Sequence, residues 1–263
     1  MNPDTPLGQA RLRRFLDREN NMTYTDGVFT ALFQAYQDHV RRWELHADGL
    51  TLALMRETLA AGSLHLASRP LDETFGITVN ISTPPVNLFV TGDAWDATVT
   101  GRAFVEGVKT SETGRFFMQA RRRRSEPVMS AIDVKGLDVL GMFEEYYSRS
   151  EQNPARFYDL EEDRFLMVLS LPDGDKKRIL RMERDEARDL AGGSGQLLGE
   201  RLVQFRCGCN PDRIVGALRS IYGEDGGDLF LASSEVEAHC PRCGARWPVS
   251  RESFGGSGDA GSD

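Results

Sequence analysis

The chain is expected to be an α+β protein, a mixed helix-and-sheet domain followed by a small metal-dependent module, and three observations carry that reading. Strand-like segments between residues 75 and 120 follow one another with no helix between each pair, which is not the alternation of a wound parallel sheet. Amphipathic helical stretches flank them. All four cysteines fall in the last quarter, as Cys207-Gly208-Cys209 and Cys240-Pro241-Arg242-Cys243. At 263 residues the chain exceeds the usual single-domain size, so a large domain with a small satellite is the natural division.

The N-terminus, MNPDTPLGQARLRRFLDREN, has charges where a secretory signal needs an unbroken apolar stretch, and no later run approaches the length of a membrane span. A cytoplasmic protein with no membrane partner is expected. Phe29, Leu32, Phe33, Tyr36, Val40 and Trp43 then recur at helical spacing, and Leu50, Leu54, Met55 and Leu59 repeat it after Asp48, a candidate N-cap. From Phe75 the period becomes two: Phe75, Ile77, Val79 and Ile81 alternate as a half-buried strand that Pro84-Pro85 ends.

Strands are expected at Val86–Thr91, Thr98–Val105 and Arg115–Ala120, and Leu137, Leu140, Phe143 and Tyr147 return to helical spacing. Phe165–Leu171, the turn Pro172-Asp173-Gly174 and Ile179–Met182 fit a hairpin. Residues 183–206 carry dense charge of both signs and a Gly-Gly-Ser-Gly break, the composition of a labile linker. The expected organisation is an N-terminal domain over 1–182, a linker over 183–206, a cysteine module over 207–250 and a disordered tail over 251–263.

Two close-set cysteine pairs separated by a helix-sized insert bring four thiolates around one zinc ion, so Cys207, Cys209, Cys240 and Cys243 are the expected ligands. Asn210-Pro211 supplies an N-cap and an N1 proline for a helix in which Ile214, Leu218 and Ile221 share a face. A module of this size needs a metal or disulfides to fold alone, so metal-binding energy is folding energy here. Thiolates are also what oxidants attack. A disulfide across one residue closes a small, strained ring that is easily reduced, which suits a reversible switch. Most four-cysteine zinc sites are nevertheless inert scaffolding, and both readings stand at this point.

Several stretches together resemble the heat shock protein 33 family of redox-regulated chaperones. LVQFRCGCNPDRIVGAL and EVEAHCPRCGARW match its closing module, and GLDVLGMFEEYYSRSEQNPAR is similar to the helix that ends its N-terminal domain, with Tyr146, Tyr147, Ser150, Glu151, Gln152 and Pro154 in order. The resemblance implies a holdase, inactive when reduced and bound to one zinc ion. Oxidation would link Cys207 with Cys209 and Cys240 with Cys243, release the metal, and expose surface that captures unfolding client proteins. A homodimer in the oxidised state is implied as well. Two stretches depart from the family: residues 183–206 hold less helical sequence than its linker, and RFFMQARRRRSEP stands where glycine-rich turns are expected.

A net charge of -8 and a pI near 5.2 argue against a nucleic-acid partner, and Arg121–Arg124, with no aromatic platform beside it, reads as a solvated strand end. His239 is a neighbour of the site and not a fifth ligand. His39, His46 and His65, within helical stretches, read as surface or core residues, and Tyr146 and Tyr147 as core. No nucleophile–base motif or phosphate-cradling loop occurs, so no enzyme is expected. Two alternatives remain: a zinc-stabilised protein- or nucleic-acid-binding module without switching, and a thiol oxidoreductase using Cys240 and Cys243 in which the thioredoxin-like context is absent.

Overall fold

In a computed structural model describing residues 8–109, 112–193, 195–224 and 226–255, the chain divides after Arg206 into two units. The first is built on strands that the sequence reading passed over. In β1 (Gln9–Asp17), Ala10 and Leu12 turn towards the main core, while Phe15, beyond a register shift, faces a second apolar cluster. β2 (Met22–Val28) pairs with it antiparallel. Helix α1 (Thr30–Arg42) buries Leu32, Phe33, Tyr36 and Val40, the expected face.

Helix α2 (Gly49–Ser68) is apolar nearly all round, as a helix through the middle of a core must be. Asp48 caps it as expected, its carboxylate accepting from Thr51 N–H at 2.8 Å. His46 lies in the turn before this helix and not within a helical stretch, exposed. Strands β3 (Glu73–Ile81), β4 (Val86–Asp93), β5 (Thr98–Phe104) and β6 (Gly114–Arg122) follow as an antiparallel series in the order β6-β3-β4-β5. β7 (Val128–Val134), unforeseen, adds outside β6.

Helix α3 (Val139–Arg149) buries Phe143, Tyr146 and Tyr147, so both tyrosines are core. Strands β8 (Ala155–Asp159) and β9 (Arg164–Ser170) close the far side, and β9 packs on both faces. Phe165 and Met167 meet the main core, whereas Leu166 and Val168 meet the second cluster, the consequence of a period of two in a sheet covered on both sides.

Two segments fold differently from what their composition implies. Ile179–Met182 is not the second strand of a hairpin: Asp175 accepts from the Lys177 and Arg178 N–H groups and starts helix α4 (Lys176–Arg181). Residues 183–206 are not a linker either. Helix α5 (Arg184–Ala191) buries Ala187 and Ala191, which with Ile179 and Met182 cap the second cluster. Strand β10 (Gln196–Phe205) then pairs antiparallel with β1 and, at Gln204 and Phe205, parallel with β5.

The full order is β7-β6-β3-β4-β5-β10-β1-β2-β9-β8, a ten-stranded sheet. β10 is held by its ladder more than by buried side chains, with Val203 its one fully buried apolar residue and Leu197, Leu198 and Leu202 exposed, which is why hydrophobic patterning hid it. Among the described residues no helix is long and apolar enough to cross a membrane.

The second unit contains helix α6 (Pro211–Tyr222), a 3-10 turn at Gly227–Phe230, the antiparallel pair β11 (Glu235–His239) and β12 (Arg246–Ser250), and helix α7 (Arg251–Gly255). Part of the expected disordered tail is therefore helical, because Phe254 is buried edge-on against Phe230 with ring centroids 5.4 Å apart. Residues 256–263 lie outside the described residues.

Candidate metal centre

Both cysteine pairs of the second unit sit where local structure holds their backbone. Cys207 and Cys209 immediately precede α6. Asn210 caps that helix by accepting from Arg213 N–H at 2.9 Å, Pro211 occupies its first turn, and the Arg213 guanidinium donates to the Gly208 carbonyl at 2.7 Å. The short Cys-Gly-Cys segment is thus tied to the helix it precedes.

Cys240 and Cys243 lie in the loop joining β11 to β12. Cys240 N–H donates to the Ala245 carbonyl at 2.8 Å and Gly244 N–H to the Cys240 carbonyl at 2.9 Å. Gly244 has a φ of +78°, which a side chain disfavours, so the glycine directly after the second cysteine makes this turn possible. The four clustered cysteines were legible in the sequence, whereas Gly244 and Arg213 were not; Cys-Pro-Arg-Cys-Gly was the available signal for the first, while nothing in the spacing marks the second.

The four sulfurs all lie within 4.8 Å of one another, with Cys207 to Cys240 at 3.8 Å and Cys209 to Cys243 at 3.6 Å. None is disulfide-bonded. A zinc–sulfur bond of about 2.3 Å places the corners of a tetrahedron roughly 3.8 Å apart, and the two shortest contacts fit an ion of that size held by four thiolates. Cys240 and Cys243 are buried and Cys207 and Cys209 half-buried, and four thiolates would by themselves fill a tetrahedral site.

Electrostatics point the same way. Hydrogen bonds from Cys207 and Cys243, with help from the Cys243 and Arg242 backbone N–H groups, pull the Cys240 thiol far below its ordinary value. The same contacts raise Cys243, and the hydrogen bond to Cys240 pushes Cys207 up to about 12. One thiolate is favoured and further ones are opposed by it, so holding all four as thiolates requires a cation between them.

The surrounding core is small: Ile214, Val215, Phe230, Ala245, Val249 and Phe254. Ile221 is 74% exposed, contrary to the shared face expected for it, and Val215 takes its place. Two arginines brace the shell. Arg219 donates to the Phe254 carbonyl at 3.0 Å and Arg251 to the Phe230 carbonyl at 2.8 Å.

The remaining singled-out residues fall elsewhere. His239 is exposed and meets Glu237 at 2.8 Å, outside the sulfur cluster. His65 is buried with its Nδ1 2.6 Å from the Tyr147 hydroxyl, and His39 packs against Phe205. Arg121–Arg124 ends β6 and enters the next turn, exposed throughout.

A family model described as Hsp33 protein matches residues 176–250, which span α4, α5, β10 and the four cysteines. A 33 kDa chaperonin of Aliivibrio salmonicida is 24% identical over 229 residues, covering 74% of this chain and 78% of its own length. One from Chromobacterium violaceum is 24% identical over 182 residues, covering 60% and 61%. The fold is similar to the crystal structure of the 33 kDa chaperonin (heat shock protein 33 homolog) from Thermotoga maritima, with a TM-score of 0.68 at 13% identity over 94% of this chain and 96% of that one.

Proposed function

The family model, the chaperonin relatives and the shared fold support the Hsp33 family for this chain, and from that premise we propose that it is a redox-regulated holdase of the cytoplasm. The family are chaperones and not enzymes, and a chaperone of this family binds unfolded clients. The observation that carries the switch is the closed cluster of four sulfurs inside a unit of small apolar core.

In the reduced state Cys207, Cys209, Cys240 and Cys243 would hold one zinc ion, which would offset half of the thiolates' negative charge and fold the unit around them. Two equivalents of peroxide take four electrons from the four thiolates. With four protons from solvent this yields two disulfides, four waters and a released zinc ion. Cys207 pairs with Cys209 and Cys240 with Cys243. That pairing rests on the family resemblance alone: the close sulfur contacts in the reduced chain, Cys207 to Cys240 and Cys209 to Cys243, join other partners. Without its metal the second unit loses structure, and the apolar surface so exposed holds unfolding clients and joins two copies into a homodimer.

The test is aggregation of a chemically unfolded client, followed by light scattering with reduced and with peroxide-treated protein. Suppression by the oxidised form alone is expected, with non-reducing peptide mapping returning the two short-range disulfides. Equal scattering in both states would leave a zinc-stabilised scaffold, and turnover of a disulfide substrate would favour an oxidoreductase.

A further inference from the structure

Two arginines meet under the C-terminal end of α2 with no carboxylate between them. In the β1–β10 ladder Arg14 stands opposite Gly199 and Leu12 opposite Arg201, so Arg14 and Arg201 are diagonal neighbours on the face that α2 covers. Arg201 donates to the Leu66 and Arg69 carbonyls at 3.1 and 3.4 Å, and Arg14 reaches the Ser68 carbonyl at 3.5 Å. Those carbonyls occupy few of the five N–H donors that a guanidinium carries. The Arg14 Nε is buried with no hydrogen-bond partner among the described residues. Glu200 borders the same space, but its carboxylate is turned to Arg11 at 3.5 Å. Among the described residues neither Arg14 nor Arg201 has a carboxylate partner.

Gly199 keeps the space beside them open. A Cβ added there would meet nothing within 4 Å, and the cleft over it, about 170 Å³, is lined by Leu12, Arg14, Ala67, Leu198 and Arg201. Gly199 lies outside the left-handed region, so its backbone conformation does not require a glycine. Burial holds the Arg14 pKa below its ordinary value, and burial followed by the charge of Arg14 does the same to Arg201. A guanidinium stays charged nonetheless. Two half-buried charges of one sign therefore face a shared cleft, an arrangement that an anion relieves.

We propose that Arg14, Arg201 and the cleft over Gly199 form a binding site for a phosphate dianion, free or at the end of a phosphomonoester. A guanidinium fork takes two oxygens of a phosphate in parallel hydrogen bonds. Two forks arriving from adjacent strands call for two negative charges and oxygens in more than one plane. A tetrahedral phosphate has both, and a planar carboxylate has neither. The bound anion ties β1 to β10 beneath α2. The site lies wholly in the first unit and depends on neither the metal nor the chaperone reading.

The full reduced chain, isotope-labelled, is titrated with inorganic phosphate and separately with adenosine monophosphate at mildly alkaline pH, where the phosphate is a dianion. Sodium chloride at matched ionic strength is the control. The readout is the Arg14 and Arg201 Nε–H resonances, because phosphate strengthens any fold through exclusion from its surface and a gain in stability would not identify a site. Saturable shifts of both resonances are expected. Gly199→Val fills the cleft with a side chain that strands favour and keeps both arginines. It should weaken binding about tenfold or more, as should Arg14→Met. Saturation by either ligand supports the site, and the tighter of the two names the source. Shifts that chloride reproduces, or that never saturate, overturn the proposal without any variant having to fold. So does a Gly199→Val chain that binds as tightly as its parent.

Discussion

Tyr147 and His65 show how a recognised stretch can have a structural task. The Tyr147 hydroxyl meets His65 Nδ1 inside the core, and Phe75 packs edge-on against the imidazole. Tyr147→Phe leaves that ring nitrogen without its partner, and a loss of about 1–3 kcal/mol is expected in urea unfolding. Burial first, and then the charge of Arg69, lowers the His65 pKa to about 3. The unfolded chain takes up the proton near its ordinary value of about 6.5, so stability is lost as pH falls from there towards 3. His65→Gln should flatten that limb in urea titrations at stepped pH.

Glu57 acts with the opposite sign. Burial, then the charges of Asp138 and Asp159, raise its carboxyl to about 7, so stability falls as pH rises from the ordinary carboxyl range towards 7. Glu57→Gln should stabilise the chain above pH 7. At the metal centre, Gly244→Ala places a side chain at φ +78° and costs about 1–2 kcal/mol. Its expected consequence is weaker zinc retention against a chromophoric chelator. The cysteines were legible because four residues of one type in two close pairs declare themselves by spacing, whereas Gly244 needed the turn geometry and His65 the fold.

At the scale of elements, residues 183–206 decide between a labile linker and a structural strand. Composition said linker, since charge is dense and large apolar side chains are few. The fold uses that charge: Arg201 of β10 donates to the Leu66 and Arg69 carbonyls at the C-terminal end of α2, at 3.1 and 3.4 Å, where a cation is favourable. Trypsin acting on the reduced chain should therefore spare Arg201, whereas rapid cleavage there would restore the linker. Arg201→Met should cost about 1–2 kcal/mol and speed amide exchange along β10. Helices α1 and α3 and strand β3 were legible because each buries one face with a clean period, and α2, buried nearly all round, by its apolar run after the cap at Asp48. β1, β2, β7 and β8 were not: arginines interrupt β1, β2 is buried on both sides, and β7 is exposed along most of its length.

For the whole molecule the division after Arg206 separates two sources of stability. The first unit rests on two extensive apolar clusters that contain no cysteine, and the second on a handful of apolar residues around four sulfurs. Zinc bound by such a site contributes on the order of 10–16 kcal/mol to folding. A strong chelator should thus melt the second unit while the sheet persists, seen as collapse of amide protection over 207–255 with β3 to β6 unchanged. Loss of both together would mean that the metal governs the entire fold. The central claim is that oxidation, metal release and client protection are one event. It is tested most directly by adding peroxide to the reduced protein in the presence of a zinc-sensitive dye and a chemically unfolded client, with dye absorbance and light scattering recorded together. Protection is expected to rise in step with zinc release. Zinc leaving while scattering continues unchanged would contradict it.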